Sequence, residues 1–313
     1  MNILLTGGAG FIGSWTVEEL LKLGHRIFCI DNFNDYYDPK QKEANVKPFL
    51  NNPNFKLYRI DIRDYETLKK IFLENKVDKI IHLAAMAGVR NSILNPKLYY
   101  DVNINGTLNV LELAKEFNIK NVVFASSSSV YGNNKKIPFS ETDNVDNPIS
   151  PYAASKKGGE LLCYTYHHLY NMNVVCLRFF TVYGPRGRPD MAPYKFTKLI
   201  MEGKPIEVYG DGTTKRDYTY VTDIVSGIIS ALDIKGYEII NLGNNNPIEL
   251  KYFISIIEKN TKIKAKQVKK PMQPGDVNIT YADIRKAKKL LKYNPKVPIE
   301  EGLKRLVEWY KTK

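Results

Sequence analysis

Short runs of apolar residues alternate, over the first 180 positions, with longer stretches in which apolar residues return every three or four places. Residues 2–6, "NILLT", are the first such run. "SWTVEELLKL" follows with helical spacing and ends at Gly24, a residue type suited to closing a helix. "RIFCIDN" reads as a second strand. The pattern predicts further strands at 56–62, 77–85, 121–127 and 173–180. It predicts helices over "YETLKKIFLEN", from about Pro96 to Phe117, and from Pro151 onward. Strands and helices in strict alternation specify an α/β fold, a Rossmann-type doubly wound parallel sheet with helices on both faces.

Beyond about residue 182 the alternation loosens. Helices are expected in "MAPYKFTKLIMEGK", "VTDIVSGIISALD", 250–261 and "IEEGLKRLVEWYK". "PIEVYGDGTTKRDYTYV" reads as strand and turn, "YEIINLG" as another parallel strand, and 264–270 as a basic strand. This describes a smaller C-terminal α/β domain over the carboxyl edge of the sheet. The first domain spans 1–181, with 217–243 returning to it. Residues 182–216 and 244–313 form the second.

Composition narrows the class. With 313 residues, 43% hydrophobic and 12% aromatic, the chain can bury a large core, which excludes a disordered protein. No apolar run approaches the ~20 residues of a membrane span. The start, "MNILLTGGAG", lacks the basic opening and cleavage site of a signal peptide. A cytoplasmic protein with no membrane partner is expected. Cys29, Cys163 and Cys176 are far apart in apolar segments, in neither a disulfide nor a zinc pattern. His82, His167 and His168 have no paired ligands nearby, so no metal is expected. The net charge of +13 is spread over scattered lysines. That reads as a solvated surface that gathers anionic small molecules rather than nucleic acid.

Gly7, Gly10 and Gly13 sit between the first strand and the first helix. Glycines there let a pyrophosphate approach bare backbone at a helix N-terminus. Asp31 ends the second strand, 18 residues after Gly13. Its carboxylate can take both ribose hydroxyls of an adenosine and repels a 2′-phosphate, so NAD is favoured over NADP. Asp61, ending the third strand, either meets the adenine or caps a turn. In "SPYAASKKGGE", Ser150 caps a helix and Pro151 opens it, which puts Tyr152 and Lys156 on one face, four apart. An ammonium beside a phenol lowers its pKa and makes it a base.

Together with "TGGAGFIG", "DIRD", "HLAA", "SSSSVYG", "YAASK", "RFFTVYGP" and "RDYTYVTD", these features resemble the extended short-chain dehydrogenase/reductases that act on nucleotide-sugars. The resemblance runs from residue 1 to about 305. It implies an NAD-binding domain, a nucleotide-sugar domain, a homodimer built on two long helices, and Ser127 as third member of a Ser–Tyr–Lys set. The cofactor residues are then Gly7, Gly10, Phe11, Ile12, Gly13, Asp31, Asn32, Asp61, Ile62, Leu83, Ala84, Ala85, Tyr152 and Lys156.

Enzymes of this family begin by oxidising carbon 4 of the sugar. Dehydratases carry an acidic pair before V-Y-G, and decarboxylases a glutamate in that segment. Here Ser128 and Ser129 stand there, which leaves epimerisation at carbon 4. "GPRGRPDMA" and "MQPGDV" resemble the UDP-glucuronate 4-epimerase branch. That branch implies Thr181, Arg188, Ser127, Ser128 and Ser129 around the sugar carboxylate. A guanidinium fork with hydroxyl donors suits a carboxylate. Arg188 can alternatively pair with Asp190. The family also implies Arg216 on the diphosphate. Tyr209, Gln273 and Asp276 complete the candidate substrate set, and Asp217 and Asp223 are expected to orient local structure. The competing readings are a UDP-glucose/UDP-galactose 4-epimerase and, less favoured, a non-catalytic NAD-sensing regulator.

Overall fold

In the computed structural model, which describes residues 1–271 and 278–313, the chain order of the first part is β1 (Asn2–Thr6), α1 (Phe11–Lys22), β2 (Arg26–Ile30), α2 (Pro39–Val46), β3 (Phe55–Tyr58), α3 (Tyr65–Glu74), β4 (Lys79–His82), α4 (Val89–Leu94), α5 (Pro96–Tyr100), α6 (Gly106–Glu116), β5 (Asn121–Ser127), α7 (Pro151–Tyr170) and β6 (Asn173–Phe179). There follow β7 (Thr181–Tyr183), α8 (Ala192–Met201), β8 (Ile206–Tyr209), β9 (Lys215–Tyr220), α9 (Val221–Ala231) and β10 (Tyr237–Leu242). The chain closes with β11 (Pro247–Glu249), α10 (Leu250–Thr261), β12 (Gln267–Lys270), β13 (Ile279–Thr280), α11 (Arg285–Leu291) and α12 (Ile299–Lys311).

The central sheet has seven parallel strands in the order β10-β6-β5-β4-β1-β2-β3. Its five inner strands are almost wholly buried, as a sheet covered on both faces requires, and the edge strands β3 and β10 only in part. The order reverses between β1 and β4, and the crevice above that switch point is where such sheets take ligands. "YEIINLG" joins this sheet as β10, against β6. Around β9 lies a smaller sheet with β7, β11 and β13, and β8 pairs with β12. Asp217 ties these parts together. Its buried carboxylate accepts N–H bonds from Ala282, Asn244 and Asn245, and burial raises its pKa to about 6.

Two expected strands are shorter than their apolar runs. Residues 59–62 and 83–85 leave the sheet at its carboxyl edge and turn toward the crevice. The helix expected from Pro96 to Phe117 is interrupted by a π-helical turn over Asp101–Asn105. Helix α2 went unpredicted because its buried face is polar: Gln41, Lys42 and Asn45.

Beneath α7 lies a buried ion pair. Arg178 Nε and Nη2 donate to the two carboxylate oxygens of Glu160 at 2.8 and 2.9 Å, and the Ser126 hydroxyl donates to Glu160 at 2.6 Å. Both charged side chains are 1% exposed. The pair holds α7 in register with β5 and β6. Glu160→Ala leaves an uncompensated buried guanidinium and is expected to cost about 3–5 kcal/mol, whereas replacing both partners by Met costs less. Chemical denaturation of the two variants checks this.

Candidate active site

The glycine-rich turn is shaped by close approach. Gly7 has φ +74°, and a Cβ there would lie 2.7 Å from the Ala84 nitrogen across the crevice. A Cβ on Gly13 would lie 2.1 Å from the Gly7 carbonyl. Gly10 precedes α1 and gives it no side-chain cap. The first N–H groups of α1 therefore face the crevice, ready for an anion. Asp31 is 8% exposed and accepts N–H bonds from Ala9 (3.0 Å) and Phe33 (2.9 Å). Burial raises its pKa, and these bonds and the Lys42 charge oppose that rise. A carboxylate has about four acceptor sites, so capacity remains for a ribose hydroxyl. Burial also works against charge on Asp61, but Arg63 and Asn32 hold its carboxyl down at about 2.

One cavity is lined by Gly7, Gly10, Phe11, Ile12, Gly13, Asp31, Asn32, Asp61, Ile62, Leu83, Ala84 and Ala85, and also by Ser127, Ser128, Ser129, Tyr152, Lys156, Thr181 and Arg188. Two distant parts of the sequence thus meet in a single space. Tyr209 and Arg216 lie outside its lining, in the C-terminal part. The Arg90 guanidinium lies 5.6 Å over the Tyr209 ring. Arg90 follows Val89, a lining residue, so β8 comes close to the cavity mouth. Gln273 and Asp276 lie outside the described residues.

The Ser150 hydroxyl accepts from the Ala153 N–H at 3.1 Å and starts α7 as expected. Burial raises the Tyr152 pKa, and the Ser127 hydroxyl and the Arg188 charge pull it down. The Lys156 ammonium donates to the Ala125 carbonyl at 2.8 Å. Burial lowers its pKa to about 8. Arg188 is thus a cation that lowers the phenol's pKa, in addition to Lys156, which the sequence places one turn along the same helix.

Arg188 is 21% exposed and forks onto Asp190, with Nε and Nη2 at 3.0 and 2.5 Å from its carboxylate oxygens. Nη2 also donates to the Tyr36 hydroxyl at 3.4 Å, and that hydroxyl donates to Asp190 at 3.2 Å. The alternative partner considered for Arg188 is thus present, behind a guanidinium and a Tyr36 side chain that both line the cavity. Gly88 completes this corner: a Cβ there would lie 2.4 Å from the Tyr36 hydroxyl.

Sequence reasoning missed Tyr36, Lys42, Gly88 and Asn103. Asn103 lies in the π-helical turn and pairs its amide with both backbone groups of Met86, and it donates to the Ser155 hydroxyl at 2.9 Å. Ser155 donates in turn to the Tyr152 carbonyl. His82 joins the same network. The Thr107 hydroxyl donates to the Asn103 carbonyl, so His82 Nε2 must donate to Thr107 and its Nδ1 must accept from Thr6. Burial holds His82 neutral, with a pKa near 3. Among the described residues no cluster suited to a metal ion occurs.

A family model described as GDP-mannose 4,6 dehydratase matches residues 4–306. The chain belongs to this family of extended short-chain dehydrogenase/reductases. It is 52% identical over 310 residues to a UDP-glucuronate 4-epimerase of Thermodesulfobacterium geofontis, covering 98% of this chain and 95% of that one. The crystal structure of a Bacillus cereus UDP-glucuronic acid 4-epimerase, in complex with UDP-glucuronic acid and NAD, superimposes with TM-score 0.93 at 37% identity, over 100% of this chain and 99% of that one. A Thermotoga maritima UDP-glucose 4-epimerase with UDP-glucose gives TM-score 0.92 at 33% identity, with the same coverage.

The Lys156 pKa predicts a pH dependence of stability. Its folded value, about 8, lies below the ordinary 10.5. Between these values the unfolded chain binds the proton that the folded chain has released, so this group's contribution to stability rises with pH. Lys156→Met removes the penalty of a buried charge. The stability gain of the variant over the wild type is expected to be greatest below pH 8 and to shrink toward pH 10, in paired denaturation curves of the cofactor-free proteins.

Proposed function

We propose that this chain is an NAD-dependent UDP-sugar 4-epimerase whose substrate is UDP-glucuronate, interconverted with UDP-galacturonate. The observation that carries the choice of sugar is the placement of Arg188, Thr181 and Ser127–Ser129 on the cavity wall around Tyr152. That donor set fits a carboxylate near the reacting carbon. The family relationship and the UDP-glucuronate 4-epimerases it includes support the same reading.

The crevice fits a dinucleotide. The spaces that Cβ atoms at Gly7 and Gly13 would fill, the open start of α1 and the Asp31 carboxylate suit pyrophosphate and ribose. NAD supplies the reversible hydride acceptor for carbon 4. The chain does the rest. Tyr152 takes the proton of the 4-hydroxyl and returns it to the same oxygen once the keto sugar has turned its other face. Ser127 and Arg188 make the phenol easier to ionise. Ser128 and Ser129 carry no carboxyl group, so the site has no acid there to drive elimination. A 4-keto uronic acid is a β-keto acid and loses carbon dioxide readily. Arg188 and the hydroxyls hold the carboxylate charged and away from the geometry of bond cleavage.

A specific observation favours UDP-glucose as the second reading: Asp190 already neutralises Arg188. Proton NMR of the enzyme with UDP-glucuronate and, separately, with UDP-glucose decides between them. UDP-galacturonate alone is the expected product. UDP-galactose alone would remove the assignment of Arg188 while leaving the Tyr152 chemistry in place.

The site residues act within two units, 1–181 with 217–243 and the remainder. The buried thiols and the nucleotide-sugar substrate suit a cytoplasmic enzyme, and no described helix is long and apolar enough to cross a membrane. The partner is a second copy of the chain. Leu161, Tyr164 and Leu169 on α7 and Ile93 and Leu94 on α4 are each more than half exposed, an apolar surface suited to a helical dimer interface. Sedimentation is expected to give a dimer that Leu161→Glu with Leu169→Glu converts to monomer; an unchanged dimer places the interface elsewhere.

A further inference from the structure

The loop that carries Arg188 runs from the end of β7 at Tyr183 to the start of α8 at Ala192. Inside the loop, Gly187 donates to the Gly184 carbonyl and Met191 to the Arg188 carbonyl, both at 3.2 Å. The stronger hold comes from α1 and α2. The Trp15 indole donates to the Pro185 carbonyl at 2.9 Å. Gln41 Nε2 donates to the carbonyls of Arg186 at 3.2 Å and Gly187 at 2.8 Å. The Arg186 side chain donates to Glu18 at 2.6 Å and lies 4.6 Å over the Trp15 ring. Arg186 itself has φ +66°, a left-handed backbone that a residue other than glycine keeps only where its surroundings enforce it.

Gln41 is the centre of that enforcement. It is 6% exposed. The Lys313 ammonium donates to its amide oxygen at 2.9 Å, which commits the amide nitrogen to the two loop carbonyls. One turn along α2, the Asn45 amide donates to the Ala9 carbonyl in the glycine-rich turn at 2.9 Å. One short helix therefore grips the phosphate-type turn at one point and the arginine loop at another. This also explains why its buried face is polar.

We propose that Gln41 is a positioning residue for recognition of the sugar acid. By holding the carbonyls of the two residues before Arg188, it sets the guanidinium at the place and angle that a carboxylate on the substrate requires. Recognition by the guanidinium N–H groups that Asp190 and Tyr36 leave over is sensitive to displacements of about 1 Å, so a loosened loop weakens it without removing the arginine. The proposal rests on the assignment of Arg188 to the substrate carboxylate.

The test compares Gln41→Met with Arg188→Ala and wild type, all as holoenzyme. Methionine keeps the volume and removes the donor. UDP, which lacks the hexuronate, serves as the reference ligand. Both variants are expected to raise KM for UDP-glucuronate about tenfold, the size of one charge-assisted bond, and to raise the fraction of decarboxylated UDP-pentose product. The inhibition constant of UDP should stay within about threefold of wild type, the scale of a weak neutral contact. If Arg188→Ala shows this pattern and Gln41→Met does not, the positioning role is overturned and Arg188 keeps its assignment. If Gln41→Met weakens UDP and UDP-glucuronate equally, Gln41 is a structural residue only. If Arg188→Ala leaves KM and products unchanged, the assignment and the proposal fall together. Gln41→Glu, which keeps the shape and the Lys313 contact but loses both donated bonds, provides the same reading should the methionine variant not fold.

Discussion

The site depends on how closely two backbone turns pass each other above the β1–β4 boundary. Gly7 lies so near Ala84 that no side chain fits between them. That approach exists because β1 and β4 are parallel neighbours whose chains then leave in opposite directions across the sheet. It has two consequences. It opens the start of α1 to an anion, and it brings the segment after β4 under the same roof as Ser127 and Tyr152. An alanine at Gly7 would face backbone atoms that cannot give way, with an unfavourable φ added.

Residues with local meaning were legible in the sequence. Gly7, Gly10 and Gly13 are read from a turn, Asp31 from a strand end, and Tyr152 and Lys156 from one helix face. The strands at 121–127 and 173–180 were legible because the whole run is buried on both sides. Residues 83–85 look equally apolar, and 59–62 continue their strand's alternation of polar and apolar positions, yet both stretches belong to the crevice. Helix α2 carried one available signal, the Asp38–Pro39 start, in which Asp38 accepts from the Lys40 N–H at 2.9 Å. No apolar period followed it, because Gln41 and Asn45 are buried for the sake of carbonyl groups 145 and 36 residues away. Tyr36 and Gly88 were illegible for a related reason. Their roles arise only where three loops converge on one guanidinium.

Charge around Tyr152 is arranged in two layers. Lys156, held against the Ala125 carbonyl, is buried deeply enough that its ammonium is close to releasing its proton near pH 8. Arg188 stays charged, since Asp190 outweighs the cost of its burial. Burial raises the Tyr152 pKa, and the Ser127 hydroxyl and the permanent Arg188 charge oppose that rise.

The Asp190 pair bears on selectivity. An unopposed arginine in a cavity would attract any anion, including the diphosphate of a misplaced nucleotide. With Asp190 bound to Nε and Nη2, the net charge at the corner is near zero and attraction alone discriminates little. On the proposed assignment, selectivity then comes from geometry: a ligand must offer oxygens where the remaining guanidinium N–H groups, Thr181 and the serine hydroxyls line the cavity. Geometry of that kind needs a loop that does not yield. This is why the supports at Trp15, Glu18 and Gln41, although remote from the reacting carbon, belong to the same recognition problem as Arg188.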